Sequence, residues 1–317
     1  VVATPWSAVV IARNEAELLP ACLRALAASN GHAHLHLTCI LNGTTDASGS
    51  LAIEVMRRSG LACRLYTIPH ADKSNAINCF LHDLRPDAET YFFVDGYAAV
   101  RPDALALLAD ALARRPHAHA AAAVPSTGRS ATALRDAMVA SPGLHGSLFA
   151  LRRGFVEQVA AAGIRLPVGL YRGDGLIGSL VMHDLDARSS PWDPSRVAVQ
   201  AAATWSAAQL RPWRPGDIRK QLYRMLRQAQ GRMESAAIRE VIYAGGFGAL
   251  PADVGALLAP WLARDPGART PSPWRDPAGS LALRALRRRR VPPAAELQPT
   301  LAWSSIAPPT TSAGLVA

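Results

Sequence analysis

Five short apolar runs, at residues 8–12, 35–42, 62–68, 91–95 and 120–125, alternate strictly with helical patterns at 15–28, 47–59, 73–83 and 102–114. Parallel strands need a long crossover between them, usually a helix, so this alternation predicts an α/β chain with a largely parallel sheet covered by helices on both faces. Ligands of such sheets lie over the carboxyl ends of the strands. The run YFFVDGYAAV carries Asp95 at that end of a strand, where a nucleotide or a metal is expected.

The helix starts are readable in the same way. Asn14, Asp46 and Asp72 stand where N-caps belong, and Pro102 occupies an early position of the fourth helix. Beyond residue 125 the pattern changes. A polar, Gly-rich connection at 126–147 leads to a strand at 147–151, a helix at 153–162, a helix beginning near Asp174, a strand at 196–204 and a long helix at 216–243. From 265 onward Pro, Ala and Arg dominate, and at least the last twenty or so residues are expected to be poorly ordered. No repeat of solenoid or propeller length is visible.

Half of the 317 residues are apolar, enough for a sizeable core without disulfides. Cys22, Cys39, Cys63 and Cys79 have no close metal-ligand spacing and read as reduced core residues. The net charge of +10, from 34 Lys and Arg against 24 Asp and Glu, favours anionic partners such as nucleoside diphosphates. Nucleic acid is not expected, because no basic strip interleaved with aromatics appears. His32, His34 and His36, like His117 and His119, alternate without a recurring carboxylate and read as solvated strand edges. No signal peptide is visible at the start of the sequence, and the apolar stretch 243–263 is broken by Pro251, Asp253 and Pro260, which makes a poor membrane span. The expectation is a cytoplasmic chain, with a shallow contact at the cytoplasmic membrane face through 243–263 as the alternative.

Four adjacent strand-end turns carry polar groups. The first offers Arg13, Asn14 and Glu15, the second Asn42, Gly43 and Asp46, the third Lys73 and the fourth Asp95. Taken singly, the first two turns are ordinary capping and turn chemistry. An ammonium at a helix N-terminus is otherwise unfavourable and suits a diphosphate. The joint pattern fits nucleoside, phosphate and ribose or metal.

The order VVIARNE, NGTTDAS, ADKSNAIN and FFVDGY, followed by a Pro-Asp-Ala-Leu helix start, resembles the family-2 inverting glycosyltransferases of GT-A fold. The resemblance runs over about residues 5–185, with a weaker echo at 216–234. It implies a transferase domain at 1–210, with a donor half at 1–125 and an acceptor half at 126–210. Helices at 211–265 would pack on it, and 266–317 would form a partly disordered tail. It also implies that Asn14, Glu15 and Asn42 line the nucleoside pocket, that Asp46 supports its turn, that Lys73 lies near the diphosphate and that Asp95 contacts ribose or a metal-bound pyrophosphate.

In the acceptor half, HGSLFALRR is similar to the family segment lining the acceptor and donor-sugar site, and LYRGDGLIGSLV resembles the segment holding the general base, here Asp174. Arg152, Arg153 and Arg172 could bind phosphate or an acidic acceptor. KQLYRMLRQAQGRME is similar to the Gln-x-x-Arg-Trp helix of processive members, with Gln221 and Arg224 matching and Met225 in place of the Trp. Without transmembrane helices this reads as transfer of a single sugar.

The sequence departs from the family at Tyr97, where the second carboxylate of the metal motif would stand. Asp95 alone gives a hard cation little, so any Mg²⁺ or Mn²⁺ is expected to bind weakly and only with nucleotide, the alternative being neutralisation of the leaving diphosphate by Lys73 and arginines. The functional expectation is inverting transfer from a nucleotide sugar, with UDP-sugars favoured, to a hydroxyl of a polysaccharide, lipid-linked or small-molecule acceptor, as in bacterial polysaccharide biosynthesis. The alternatives are a nucleotidyltransferase, against which the absence of a Gly-rich basic loop after the first strand argues, and a degenerate relative that binds a sugar nucleotide or partner without turnover.

Overall fold

The computed structural model describes residues 5–29, 35–128, 131–208 and 215–306. Strands β1 (Trp6–Ala12), β2 (Leu35–Asn42), β3 (Ala62–Ile68) and β4 (Thr90–Asp95) are all parallel. Their crossovers contain α1 (Leu19–Ala27), α2 (Ser48–Arg58) and α3 (Lys73–Cys79), the last running into a π turn at Phe80–Leu84. The next part of the chain adds β5 (Ala99–Val100), α4 (Ala104–Arg114), β6 (Ala120–Pro125), α5 (Ala131–Ala140), β7 (Leu148–Arg152), α6 (Arg153–Ala161), α7 (Gly173–Met182) and β8 (Val197–Ser206). The chain then forms α8 (Pro215–Gly245), α9 (Val254–Arg264), α10 (Pro266–Arg269), α11 (Pro277–Arg287), α12 (Ala294–Leu297) and β9 (Thr300–Ser304).

These strands make one sheet in the order β5-β8-β6-β7-β4-β1-β2-β3-β9. The donor half is parallel throughout, whereas β7 runs antiparallel to both β4 and β6. Period-two alternation sends Val9, Ile11, Ile40 and Phe93 to one core layer and Ala8, Val10, Cys39 and Val94 to the other. Phe93 stacks on Phe149 at 4.8 Å and meets Phe80 edge-on at 5.6 Å, joining β4, β7 and the π turn. All four cysteines are free and buried, and burial pushes Cys39 up to about 12 and Cys79 up to about 11.

Several expectations change, among them Asp46 as the cap of α2, which follows Ala47 with no side-chain cap bond, and Pro102, which precedes α4. Asn14 does not cap α1, which begins at Leu19 with Pro20 in its first turn. Asn14 instead adopts left-handed backbone at φ 51°, a conformation that asparagine tolerates better than most residues. In the apolar stretch 243–263 Leu257, Leu258, Trp261 and Leu262 are buried in the core, whereas Tyr243 is exposed. Among the described residues no helix is long and apolar enough to cross a membrane.

The largest difference lies in the Pro/Ala/Arg-rich tail. Part of it, at least the last twenty or so residues, was expected to be poorly ordered, yet residues 266–306 form three helices and a strand, and β9 pairs antiparallel with β3. That pairing supplies backbone partners to an otherwise open sheet edge, a gain that composition does not reveal. Residues 307–317 lie outside the described residues, as do His32 and His34.

Candidate active site

The turns after β1, β2, β3 and β4 converge as their sequence order implied. Asn14 Oδ1 accepts from Thr45 N at 2.8 Å, and Asp46 accepts from Ser48 N at 2.9 Å and from Ala16 N at 3.1 Å. Glu15 N donates to Ser48 Oγ at 2.9 Å, and the buried Asn42 donates through Nδ2 to Ala12 O at 3.1 Å. The first two turns are therefore cross-braced. Hydrogen bonds from Ser48 and Ala16 outweigh partial desolvation and hold the Asp46 carboxyl below its usual range.

Gly96 is required where the first and fourth turns meet, since a Cβ there would lie 2.5 Å from Ala12 Cβ. Asp95 precedes it, with its side chain 11 % exposed. Lys73 Nζ donates to Asp95 Oδ1, and Tyr97 OH donates to Oδ2 at 2.8 Å while also lying 3.1 Å from Ser147 Oγ. Lys73 reaches this point because Asp72 caps α3, accepting from Asn75 N at 2.8 Å. Desolvation works against the Lys73 charge, but Asp95 and then Asp174 raise its pKa overall, so the ammonium persists through neutral pH. Burial, followed by the charge of Asp95, raises the Tyr97 pKa, leaving a neutral phenol that donates.

Asp174 enters from the acceptor half. It stands in the first turn of α7, and its Oδ2 accepts from Gly146 N at 2.9 Å. A Cβ on Gly146 would lie 3.0 Å from Lys73 Nζ and 3.1 Å from Asp174 Oδ2, so the absence of a side chain there lets the ammonium and the carboxylate flank the same point. His145 stacks on Trp205 at 5.0 Å, and burial lowers its pKa despite Asp174 and Asp95, so the ring is neutral at pH 7. Lys73, Asp95, Tyr97, Asp174 and the 145–147 backbone form one cluster that can oppose a cation to a leaving anion and a carboxylate to a hydroxyl.

The arginines fare differently. Because β7 is antiparallel, Leu148 pairs opposite Val94 near the crevice and Arg152 opposite Thr90 at the far edge. There Arg152 donates to Leu112 O at 2.6 Å and to Ala118 O and Arg115 O at 3.0 Å, while Arg153 pairs with Asp87, Glu89 and Glu157. Neither belongs to the site, which corrects the expectation from sequence.

Arg172 is exposed, its stem lying against the Gly231 position of α8. Gln221 and Arg224 are exposed on the first half of α8, with Arg224 near enough to His145 to disfavour a charge on that ring. Arg227 makes the closer contact, its guanidinium 4.8 Å over the Tyr171 ring beside the loop that leads to Asp174. The sequence also gave no partner to Tyr97, which read only as a missing carboxylate.

A divalent cation finds no ready cradle. Both Asp95 oxygens are engaged, by Lys73 and by Tyr97, and among the described residues no group of three or more His, Cys, Asp or Glu side chains could hold a metal. Phosphate oxygens would have to supply most of the ligands.

Residues 7–159 match the model of glycosyl transferase family 2. The matched segment, just under half of the chain, is similar to the family-2 glycosyltransferases. Among solved structures, a mannosyltransferase from Pyrobaculum calidifontis, in complex with GDP-Man and Mn²⁺, is 19% identical with a TM-score of 0.59, over 93% of this chain and 78% of that one. TarS from S. aureus is 16% identical with a TM-score of 0.51, over 82% of this chain and 43% of that longer one. A shorter S. aureus TarS structure in complex with UDP-GlcNAc is 13% identical with a TM-score of 0.50, over 89% of this chain and 80% of that one. At these identities the likeness is one of fold, and at 93% coverage it extends well past the matched segment. Comparison with curated proteins gave no match.

Proposed function

We propose that the chain is an inverting glycosyltransferase that moves one sugar from a nucleotide sugar to an acceptor hydroxyl. The observation that carries this reading is the flanking of Gly146 by Lys73 and Asp174, with Asp95 on the other side of the ammonium. Asp174 takes the proton of the acceptor hydroxyl as that oxygen forms its bond to the anomeric carbon. The bond from that carbon to the diphosphate oxygen breaks on the opposite face, and the diphosphate leaves with the electron pair. Lys73 meets the charge that develops there. Asn14, Glu15, Asn42 and Asp46 form the nucleoside side, and Asp95 takes ribose or holds Lys73 in place.

No step in this scheme runs through a divalent cation. Mg²⁺ or Mn²⁺ would bind weakly and only together with nucleotide phosphates, because Lys73 and Tyr97 already engage Asp95. Arg172, Gln221 and Arg224 line the acceptor approach, and the acceptor is a polysaccharide, a lipid-linked sugar or a small molecule. The surface for membrane contact in this reading is the first half of α8, where Leu222, Tyr223 and Met225 are exposed beside Arg219 and Arg224.

A thermal-shift screen against nucleotides and nucleotide sugars, UDP-sugars first, identifies the donor by mass action, and a transfer assay with that donor tests turnover. Nucleotide-sugar binding with no transfer to any acceptor class would favour the second reading, a sugar-nucleotide binder whose Asp95 is locked by its neighbours.

A further inference from the structure

Arg289 lies in the C-terminal extension, far beyond the matched family segment, yet its Nη2 stands 3.0 Å from Asp72 Oδ2. Asp72 is 3 % exposed and does three things at once. Its Oδ1 caps α3, the helix that begins with Lys73, and its Oδ2 receives both the guanidinium and Gly169 N, the latter at 2.5 Å. Gly169 shows how closely Arg289 is seated. A Cβ at that position would fall 1.3 Å from Arg289 Nη1, so the guanidinium fills the space that any other residue would need, and Gly169 adopts φ +93° besides.

The loop that Gly169 opens leads directly to Asp174, and it is held from several elements. Ser74 Oγ donates to Leu170 O at 3.0 Å, Gln230 Nε2 donates to Gly169 O at 3.2 Å, and Tyr171 N donates to the buried Glu234 at 2.9 Å. Asp72, the residue before Lys73, binds Gly169 of this loop directly, beside the Ser74 bond. Arg289 is its charge partner.

We propose that Arg289 is a positioning residue for sugar transfer, a clamp from the C-terminal extension that sets Lys73 and Asp174 in register through Asp72 and Gly169. The proposal rests on the transferase reading above. Arg289 touches neither nucleotide nor acceptor in this account, so its removal acts on the rate of the chemical step more than on donor binding. The extension has other anchors near α3. His70 N donates to Glu296 O at 2.9 Å, Asn75 Nδ2 donates to Leu297 O at 2.8 Å, and β9 pairs with β3. Loss of the guanidinium alone should therefore loosen the two loops without releasing the extension.

The test compares Arg289→Ala, Arg289→Lys and Gly169→Ala with wild type, using the exposed neighbour Arg288→Ala as the charge-matched control. Hydrogen exchange of the amides at 73–76 and 169–173 is expected to speed up at least tenfold in Arg289→Ala and Gly169→Ala, with β1 unchanged. With the donor from the screen, kcat should fall at least tenfold, with a smaller rise in donor KM because Lys73 also holds the diphosphate. Arg289→Lys should recover part of the rate, and added guanidinium ion should partly rescue Arg289→Ala. Wild-type exchange and wild-type kcat in Arg289→Ala would overturn the proposal, as would an equal loss in Arg288→Ala. Should Arg289→Ala fail to fold, Arg289→Lys and Gly169→Ala decide by the same readouts. A wild-type chain without turnover would defeat the transferase reading instead, while unchanged exchange in a folded variant would still defeat the clamp.

Discussion

The two ends of β7 make an instructive contrast. At its start, Gly146 donates its amide to Asp174 and leaves room for Lys73 beside a neutral His145, and at its end Arg152 and Arg153 are spent on carbonyls and carboxylates of the opposite sheet edge. Nine consecutive residues thus divide between candidate chemistry and scaffold. Position along the strand decides which, and residue type does not. Two arginines beside a nucleotide fold look like phosphate ligands, yet the direction of one antiparallel strand removes them from the crevice.

The contrast is sharpened most by Asp174→Asn. The amide keeps the shape of the side chain but cannot take a proton, so turnover should fall by about two to four orders of magnitude. Donor affinity measured by calorimetry should stay within a few-fold. Wild-type turnover would remove Asp174 from the mechanism.

Arg152→Ala probes the other end of the strand. It strips three carbonyls of a charged donor and should cost about 1–3 kcal/mol of stability in chemical denaturation, with nucleotide affinity unchanged. A selective loss of diphosphate binding would return Arg152 to the site and break the comparison.

Tyr97→Phe is a smaller perturbation. It frees Asp95 Oδ2 and should raise nucleotide-dependent Mn²⁺ affinity several-fold over wild type, measured by titration with and without UDP. Micromolar Mn²⁺ binding by the wild-type protein without nucleotide would contradict the account of a blocked carboxylate.

The weakest effect is on acid stability. His82, His119 and His145 are all shifted down, by burial first. Each therefore binds its proton more readily in the unfolded chain, whose histidines titrate near about 6.5. Their contribution is complete above that pH and is lost as pH falls below it. Denaturation midpoints should drop between pH 7 and pH 5, and His145→Gln should flatten the slope. A midpoint that rises over that interval would contradict the sign.

The donor half was legible because its information is local. Alternating apolar residues set the strand faces, and Lys73 and Asp95 follow from where a helix starts and a strand ends. Asn14 was misjudged as a cap because Pro20 moves the helix start downstream. The strand direction that displaces Arg152 is not encoded near Arg152, and the same holds for the extension. Leu301 and Thr300 find their partners on β3 more than two hundred residues away, and nothing in a Pro/Ala/Arg-rich stretch announces that edge. Tyr97 was visible as a departure, but its bonds to Asp95 and Ser147 required the fold.

The most direct test of the crevice as a sugar-nucleotide site is calorimetry of nucleoside diphosphates and their matching nucleosides against wild type and Lys73→Ala, all in excess chelator. The account predicts a clear preference of wild type for the diphosphate. It predicts a loss of about ten- to a hundredfold for that ligand alone in Lys73→Ala, the effect of removing a charged hydrogen bond. Equal losses for diphosphate and nucleoside, or no wild-type preference between them, would contradict it.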